Sequence, residues 1–417
     1  VNTVVPKIQL PLQTASLIAS FMVWVLISSL LSYIKTDIPL TAGQSAWASA
    51  VPVILGSVLR IPAGFLANRF GARLLFAVSF AAMLLPIAYL SIARTFLDLI
   101  LSGFFLGIGG ATFSIGVTSL PKYYPKEKHG TVNGIYGIGN MGTAITTFGA
   151  PLLANAFGWR GAVQSYLVLV SGVALLNVFL GDRHEPKVRN SWREQFRQVY
   201  KNEKLWFLSL FYFITFGSFV AFTIYLPNFF VSHFHLEKVD AGLRTAGFIV
   251  LATLTRPVGG FLSDKLNPFL VLKLVFLGLT VSGILLSFVL NMPLFTLGCL
   301  TVALCAGVGS GAVFKLVPLH FSKQGGIVNG IVSAAGGLGG FFPPLILTLL
   351  YSWTGHYSIG FMALSESALA SLILVFWMSF QARIQNYTLT EADIQPRHPP
   401  HTESQHRDSN CKGGEQP

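Results

Sequence analysis

Arg60-Ile-Pro-Ala-Gly-Phe-Leu-Ala-Asn-Arg69 and Arg256-Pro-Val-Gly-Gly-Phe-Leu-Ser-Asp-Lys265 are one phrase written twice, at an offset of 196 residues. Each opens on an arginine set in an apolar stretch and closes on a basic residue. The same offset superposes Gly130-Thr-Val-Asn-Gly-Ile135 on Gly326-Ile-Val-Asn-Gly-Ile331. A third pair, Gly107-Ile-Gly-Gly-Ala111 and Gly307-Val-Gly-Ser-Gly311, needs an offset of 200, which places a short insertion between the fourth and fifth apolar segments of the first half. Gly158-Trp-Arg-Gly161 is similar to Ser352-Trp-Thr-Gly355 near the two ends. Self-similarity at a fixed long offset makes the chain an internal duplication.

The duplicated unit is a set of membrane helices. Of 417 residues 53% are hydrophobic and only 11% are charged, a balance that points to a polytopic membrane protein. A spanning helix needs roughly 20 predominantly apolar residues. Such windows fall at 10–34, 44–67, 74–93, 99–120, 130–155, 161–181, 205–232, 245–263, 268–290, 292–318, 325–352 and 357–381. The first is too long for the apolar region of a secretory signal and lacks a small-residue cleavage pattern after it, so it is expected to stay as the first crossing. The predicted fold class is all-α integral membrane, with 12 transmembrane helices in two pseudo-symmetric six-helix bundles. Residues 1–181 form one bundle, 182–204 a cytoplasmic linker, 205–381 the second bundle and 382–417 a polar tail whose composition predicts disorder.

Loops rich in Lys and Arg stay cytoplasmic. With the N-terminus inside, Lys7, Arg69, Arg73, Lys122, Lys126, Lys128, the run from Arg183 to Lys204, Lys265, Lys323 and the basic residues of the tail share one side, against Lys35, Arg94, Arg160, Lys238 and Arg244 on the other. Both termini are therefore expected in the cytoplasm, and the chain in the cell membrane. The net charge of +12 is a topology signal that leaves little for a nucleic-acid partner to explain. Cys299 and Cys305 share an apolar window and Cys411 lies in the tail, with none of the spacings that bind metal. No phosphate-binding GxxxxGK[ST], HExxH or GxSxG occurs. The sequence predicts no metal, no cofactor and no enzymatic activity.

A charge at membrane depth costs several kcal/mol unless it faces a cavity or a partner, so an intramembrane arginine reads as functional. Arg60 lies eight residues before Asn68 and Arg256 eight before Asp264, at the basic boundary, about 12 Å at 1.5 Å per residue. That is close to the middle of a core about 30 Å thick. Parallel repeats place a substrate site near the midplane between the halves, where both arginines can converge. A guanidinium is planar, forked and always charged, and suits a flat oxyanion. The first-half windows hold no acid to neutralise Arg60, Asp98 lying just outside one of them.

Gly64-Phe-Leu-Ala-Asn-Arg-Phe-Gly-Ala-Arg73 resembles the signature of the major facilitator superfamily between the second and third helices, repeated more weakly at Gly260 to Lys265. Asn68 stands where that pattern has Asp, which weakens whatever gating contact the acid makes, whereas Asp264 keeps it. Within the superfamily the chain is similar to the compact bacterial nitrate/nitrite porters. Two glycine-rich helices carry this likeness: Gly134-Ile-Tyr-Gly-Ile-Gly-Asn-Met-Gly142, with Gly137 and Gly139 inside it, and Gly330-Ile-Val-Ser-Ala-Ala-Gly-Gly-Leu-Gly-Gly-Phe-Phe-Pro-Pro344, with Gly336, Gly337, Gly339 and Gly340. The resemblance covers residues 8 to 382.

That resemblance implies alternating-access transport of nitrate, nitrite or both by a monomer in the lipid bilayer. It further implies that Phe113 and Phe216 pack the two faces of the flat anion, that the Tyr212 hydroxyl bonds it, and that Asn140 and Ser333 stand beside it with Arg60 and Arg256. Tyr212 and Phe216 are four apart and share a helix face. The glycines would let closely packed helices slide at the site. Asn133 and Asn329, duplicated by the repeat, read equally as helix bridges or substrate contacts. Lys315 reads either as a snorkelling side chain or as an inner-vestibule or coupling group. Glu366, the one acid inside a window, is the other candidate for coupling. Against a negative interior, import of one monovalent anion costs about 2.3 kcal/mol per 100 mV, so uptake needs exchange for internal nitrite or at least two co-transported protons. The scarcity of midplane carboxylates favours exchange, while Lys315 and Glu366 keep proton symport open. The competing readings are an export carrier for another small anion or a drug, and a membrane anion sensor, which would call for a folded output domain.

Overall fold

The computed structural model describes residues 4–188, 191–288, 291–321, 324–354 and 358–394. Every element among them is a helix. The described residues up to Phe376 form one compact unit and those from Trp377 onward a second; the first holds the site.

Ten stretches are long and apolar enough to cross a membrane. An eleventh is the pair Gly43–Val58 and Arg60–Phe70, bent by 41° at Leu59. A twelfth is contained in the 55-residue run Lys126–Leu180, which as one rod would be about 80 Å long. Gly158 breaks that run with φ +71 and ψ 162. No atom lies within 4 Å of where its Cβ would be, so the demand for glycine is conformational: positive φ is cheap only without a side chain. The twelve crossings expected from the windows are thus present among the described residues.

Four of them are interrupted near the middle. The first breaks at Val25, between Val4–Trp24 and Leu26–Asp37. The second bends at Leu59, immediately before Arg60. The fourth is split into Phe96–Leu106, Ile108–Ala111 and Phe113–Ser119. The fifth passes from His129–Tyr136 through the 3-10 turn Gly137–Asn140 into Met141–Leu180. Continuous apolar windows gave no warning of these breaks. The last helix runs to Ile394, past the point where composition predicted disorder, because no Gly or Pro interrupts the chain between Ala382 and Pro396. The remainder of the tail lies outside the described residues.

The first half contacts the second through the second, fourth and fifth crossings on one side and the eighth, tenth and eleventh on the other. Between the arginines and the basic end, backbone meets backbone. A Cβ on Gly130 would fall 2.5 Å from Gly260 O, and one on Gly134 2.8 Å from Arg256 O; Gly64 and Gly326 meet likewise, and a Cβ on Gly330 would fall 2.8 Å from Arg60 O. The two contacts are related by the repeat. Two crossed hydrogen bonds accompany them: Asn133 Nδ2 donates to Phe314 O at 3.2 Å, and Asn329 Nδ2 to Val117 O at 3.1 Å. Of the two sequence readings for this asparagine pair, helix bridging is the one observed.

The linker begins as part of the first half. Asp182 Oδ2 accepts the Tyr123 hydroxyl at 2.9 Å. Glu185, buried, accepts the Ala72 amide at 2.7 Å and Lys122 Nζ at 2.9 Å, capping the third crossing where Gly71 turns the chain at φ +88. Val188 N donates to Asn68 O at 2.9 Å. A short helix, Trp192–Val199, then sets Trp192 edge-on to Phe65, with ring centroids 5.2 Å apart, while Gln198 Oε1 accepts Gln324 Nε2 at 2.8 Å.

Candidate functional site

Arg60 stands at the bend of the second crossing and Arg256 immediately before Pro257 in the eighth. Both are buried, at 0% and 3% exposure, and among the described residues neither is ion-paired to an acid. Backbone and hydroxyl groups hold them instead. Arg60 Nε donates to Gly110 O at 2.9 Å, a carbonyl available because the fourth crossing is broken at Thr112. Its Nη1 donates across to Ser333 O in the eleventh crossing at 2.7 Å. Arg256 Nη2 donates to the Tyr212 hydroxyl at 2.7 Å.

One aromatic wall serves both. The Cζ of Arg60 lies 5.5 Å from the Phe113 ring centroid and 5.1 Å from that of Phe216. The Cζ of Arg256 lies 5.4 and 5.3 Å from the same two rings. These are cation–π distances. Phe113 is nearly parallel to Tyr212 and Phe216, at 6.2 and 6.4 Å with 13° between planes in each case. Tyr212 and Phe216 stack on each other at 5.1 Å, as their four-residue spacing requires.

The decisive detail is what lacks a partner. Arg60 Nη2, Arg256 Nη1 and both side-chain atoms of Asn140 are buried with no hydrogen-bond partner in the protein. A buried polar group left unpaired costs about 1–3 kcal/mol, more when charged, and two guanidinium groups against one ring repel each other. A small anion accepting from Nη2 and Nη1 relieves both penalties.

Phe113, Phe216, Tyr212, Arg60 and Arg256 are therefore brought together, and Ser333 joins them through its backbone carbonyl. Its hydroxyl lies 2.7 Å from that of Ser114. The glycines divide by what they meet. Gly137 lies against the Arg256 side chain, Gly337 against Ser57 with Arg60 Nη1 beyond it, Gly134 against the backbone of the other half, Gly139 and Gly142 against the first crossing, and Gly336, Gly339 and Gly340 against the seventh. Sequence reasoning missed Tyr136, stacked on Phe113 at 5.7 Å and bonded to Thr112 O at 3.0 Å, and Phe314, edge-on to Phe113 at 5.2 Å. Tyr136 lies inside the glycine run that marks the fifth helix, which was the available signal.

The two coupling candidates lie elsewhere. Glu366 is exposed on its helix. Lys315 Nζ is 2.7 Å from Asp264 Oδ1 and donates to Lys126 O at 2.8 Å. Asp264 in turn accepts Gly130 N at 3.0 Å, Thr131 N at 2.6 Å and Thr131 Oγ1 at 2.7 Å. The carboxylate of the second half thus caps the helix that starts at His129 in the first, where a negative charge suits the helix dipole. In the repeat-related place Asn68 stands beside Gly326 and Ile115 replaces the lysine, so only one of the two latches is charged.

A sequence profile of the Major Facilitator Superfamily matches residues 14–344. The chain belongs to that superfamily. Among its relatives in this superfamily, the protein named Nitrite extrusion protein in Bacillus subtilis (strain 168) is 65% identical over 381 residues, covering 91% of this chain and 96% of that one. A Probable nitrate transporter NarT of Staphylococcus epidermidis is 52% identical over 371 residues, covering 89% and 96%. Solved superfamily structures share the fold at low identity. The human organic anion transporter MFSD10 superposes with a TM-score of 0.72 at 15% identity, over 89% of this chain and 99% of that one. The E. coli fucose:proton symporter FucP gives 0.68 at 15%, over 89% and 98%. Superfamily membership makes this chain a multi-pass membrane transporter.

Proposed function

We propose that the chain carries nitrate, nitrite or both across the cytoplasmic membrane by alternating access, as a monomer with both termini in the cytoplasm. The observation that carries this reading is the unpartnered, buried Nη2 of Arg60 and Nη1 of Arg256, one from each half, beside the Phe113 and Phe216 rings. A flat monovalent oxyanion accepts from both guanidinium groups, lies against the aromatic faces and cancels the repulsion between the two charges. Asn140, buried with neither side-chain polar atom hydrogen-bonded in the protein, supports a polar contact to the anion in this reading. The names of the relatives from Bacillus and Staphylococcus agree with this substrate.

Exchange is the favoured coupling. Glu366 is exposed on its helix and Lys315 is engaged with Asp264, so neither stands at the anion site, whereas two arginines serve nitrate and nitrite alike. Electroneutral exchange avoids the electrical cost of about 2.3 kcal/mol per 100 mV; proton-coupled uptake is the second reading. Purified protein in liposomes decides between them, with labelled nitrate uptake measured against internal nitrite or an imposed proton gradient. Absence of flux under both conditions sinks the function. Undiminished flux in Arg60→Ala plus Arg256→Ala sinks the site.

A further inference from the structure

On the flank of the basic end, where the start of the third crossing, the end of the sixth and the first residues of the linker meet, lies a cavity of about 350 Å³ apart from the central site. Its walls are of two kinds. Phe70, Leu74, Ala77 and Val178 form an apolar side, and Arg73, Arg183 and Lys187 a basic one. Asp182 is the acid among the lining residues, and it is engaged by the Tyr123 hydroxyl and the His184 amide. The neighbouring Glu185 points inward to Lys122 and Ala72 N. Among the described residues neither Arg183 nor Lys187 is ion-paired.

Arg73 is fixed rather than loose. Gly181 lies so close that a Cβ there would fall 2.6 Å from Arg73 Cγ. Arg73 Nε and Nη2 both donate to Val178 O, at 2.9 and 2.6 Å. One edge of the guanidinium is therefore pinned to the end of the sixth crossing and its Nη1 end is left for another acceptor. Leu74 and Phe179, exposed to 51% and 74%, continue the apolar side along the outer faces of the same two helices.

We propose that this cavity binds the phosphate headgroup of an anionic membrane phospholipid. Arg73, Arg183 and Lys187 surround the phosphate, and Phe70, Leu74 and Ala77 receive the glycerol and the first acyl carbons. A free phosphate would gain nothing from the apolar side, and a zwitterionic lipid less from the basic one. Basic residues at a membrane boundary draw anionic headgroups in this way. The lipid then ties together the third crossing, the sixth crossing and the linker.

Native mass spectrometry of the full chain, titrated separately with phosphatidylglycerol and phosphatidylcholine, tests the site. The wild type is expected to retain one phosphatidylglycerol in preference to phosphatidylcholine. Each basic residue near an anionic surface contributes roughly fivefold in affinity, so R183Q with K187Q should weaken that binding by about 30-fold. R193Q with R197Q, which removes the same charge from the exposed side of the linker helix, should leave it nearly unchanged. Equal losses in the two double variants would reduce the effect to diffuse charge and overturn the proposal. So would equal retention of the two lipids, or displacement of the lipid by millimolar inorganic phosphate.

Discussion

Replacing Asp264 by Asn is expected to unlock the basic end of the carrier. The carboxylate takes three hydrogen bonds from first-half donors, at Gly130 N, Thr131 N and Thr131 Oγ1, and holds Lys315 at 2.7 Å. Its side chain is 6% exposed, so solvent screens little of this. An asparagine keeps the shape but has one acceptor oxygen and no charge. Charge-assisted hydrogen bonds contribute about 1.5–3 kcal/mol against about 0.5–1.5 for neutral ones, and the charge at the helix N-terminus about 0.3–1 kcal/mol more. One bond lost and others weakened amount to roughly 3 kcal/mol, on the order of a 100-fold shift from closed to open at this end. Spin labels at Glu127 and Lys265, both exposed and flanking the latch, report it by pulsed EPR. A longer-distance population should grow in Asp264→Asn and, in the same direction, in Lys315→Gln. Distance distributions and thermal midpoints identical to wild type in both variants would refute the reasoning.

Three further outcomes follow from the site and its surroundings. Arg60→Lys keeps the charge but cannot reproduce the fork that reaches Gly110 O and Ser333 O together; at about 1.5–3 kcal/mol for the charged hydrogen bond lost, nitrate flux should fall by roughly 10- to 100-fold, measured as initial uptake into liposomes. Gly134→Ala puts a methyl 2.8 Å from Arg256 O and Pro257 Cα, and such overpacking of backbone costs about 1–3 kcal/mol, read as a lowered thermal midpoint and reduced uptake. Glu366→Gln should leave both the rate and its pH profile unchanged, because the side chain is exposed on its helix; a changed pH profile in that variant would restore proton coupling.

The repeat made the architecture readable before any coordinates. An arginine followed by the same glycine-bearing phrase in each half fixed where the two halves correspond, and the asparagines at 133 and 329 turned out to cross between them as a related pair. What the windows concealed were the interruptions. Hydropathy is blind to a 3-10 turn at Gly137–Asn140 or a break at Thr112, because a single Asn or Thr among Gly, Ile and Ala scarcely lowers the average of a window of roughly 20 residues. Those breaks release the Gly110 carbonyl for Arg60 and carry Asn140 into an irregular turn. Lys315 was legible as an unusual charge but not as half of an ion pair, since its partner lies fifty-one positions away on another helix and only packing brings them together. Tyr136 and Phe314 were hidden among 35 phenylalanines and 12 tyrosines, most of which only fill space.

The hydrogen bonds made by Asp182, Glu185 and Val188 move the mechanical seam of the molecule away from where the hydrophobic pattern ends. Everything up to Val188 travels with the first bundle, so the slack for any rocking must be supplied downstream of it. A carrier expressed as two separate polypeptides should accordingly reassemble when the cut falls after Val188 and fail when it falls at Gly181, which would strand the cap of the third helix on the wrong fragment.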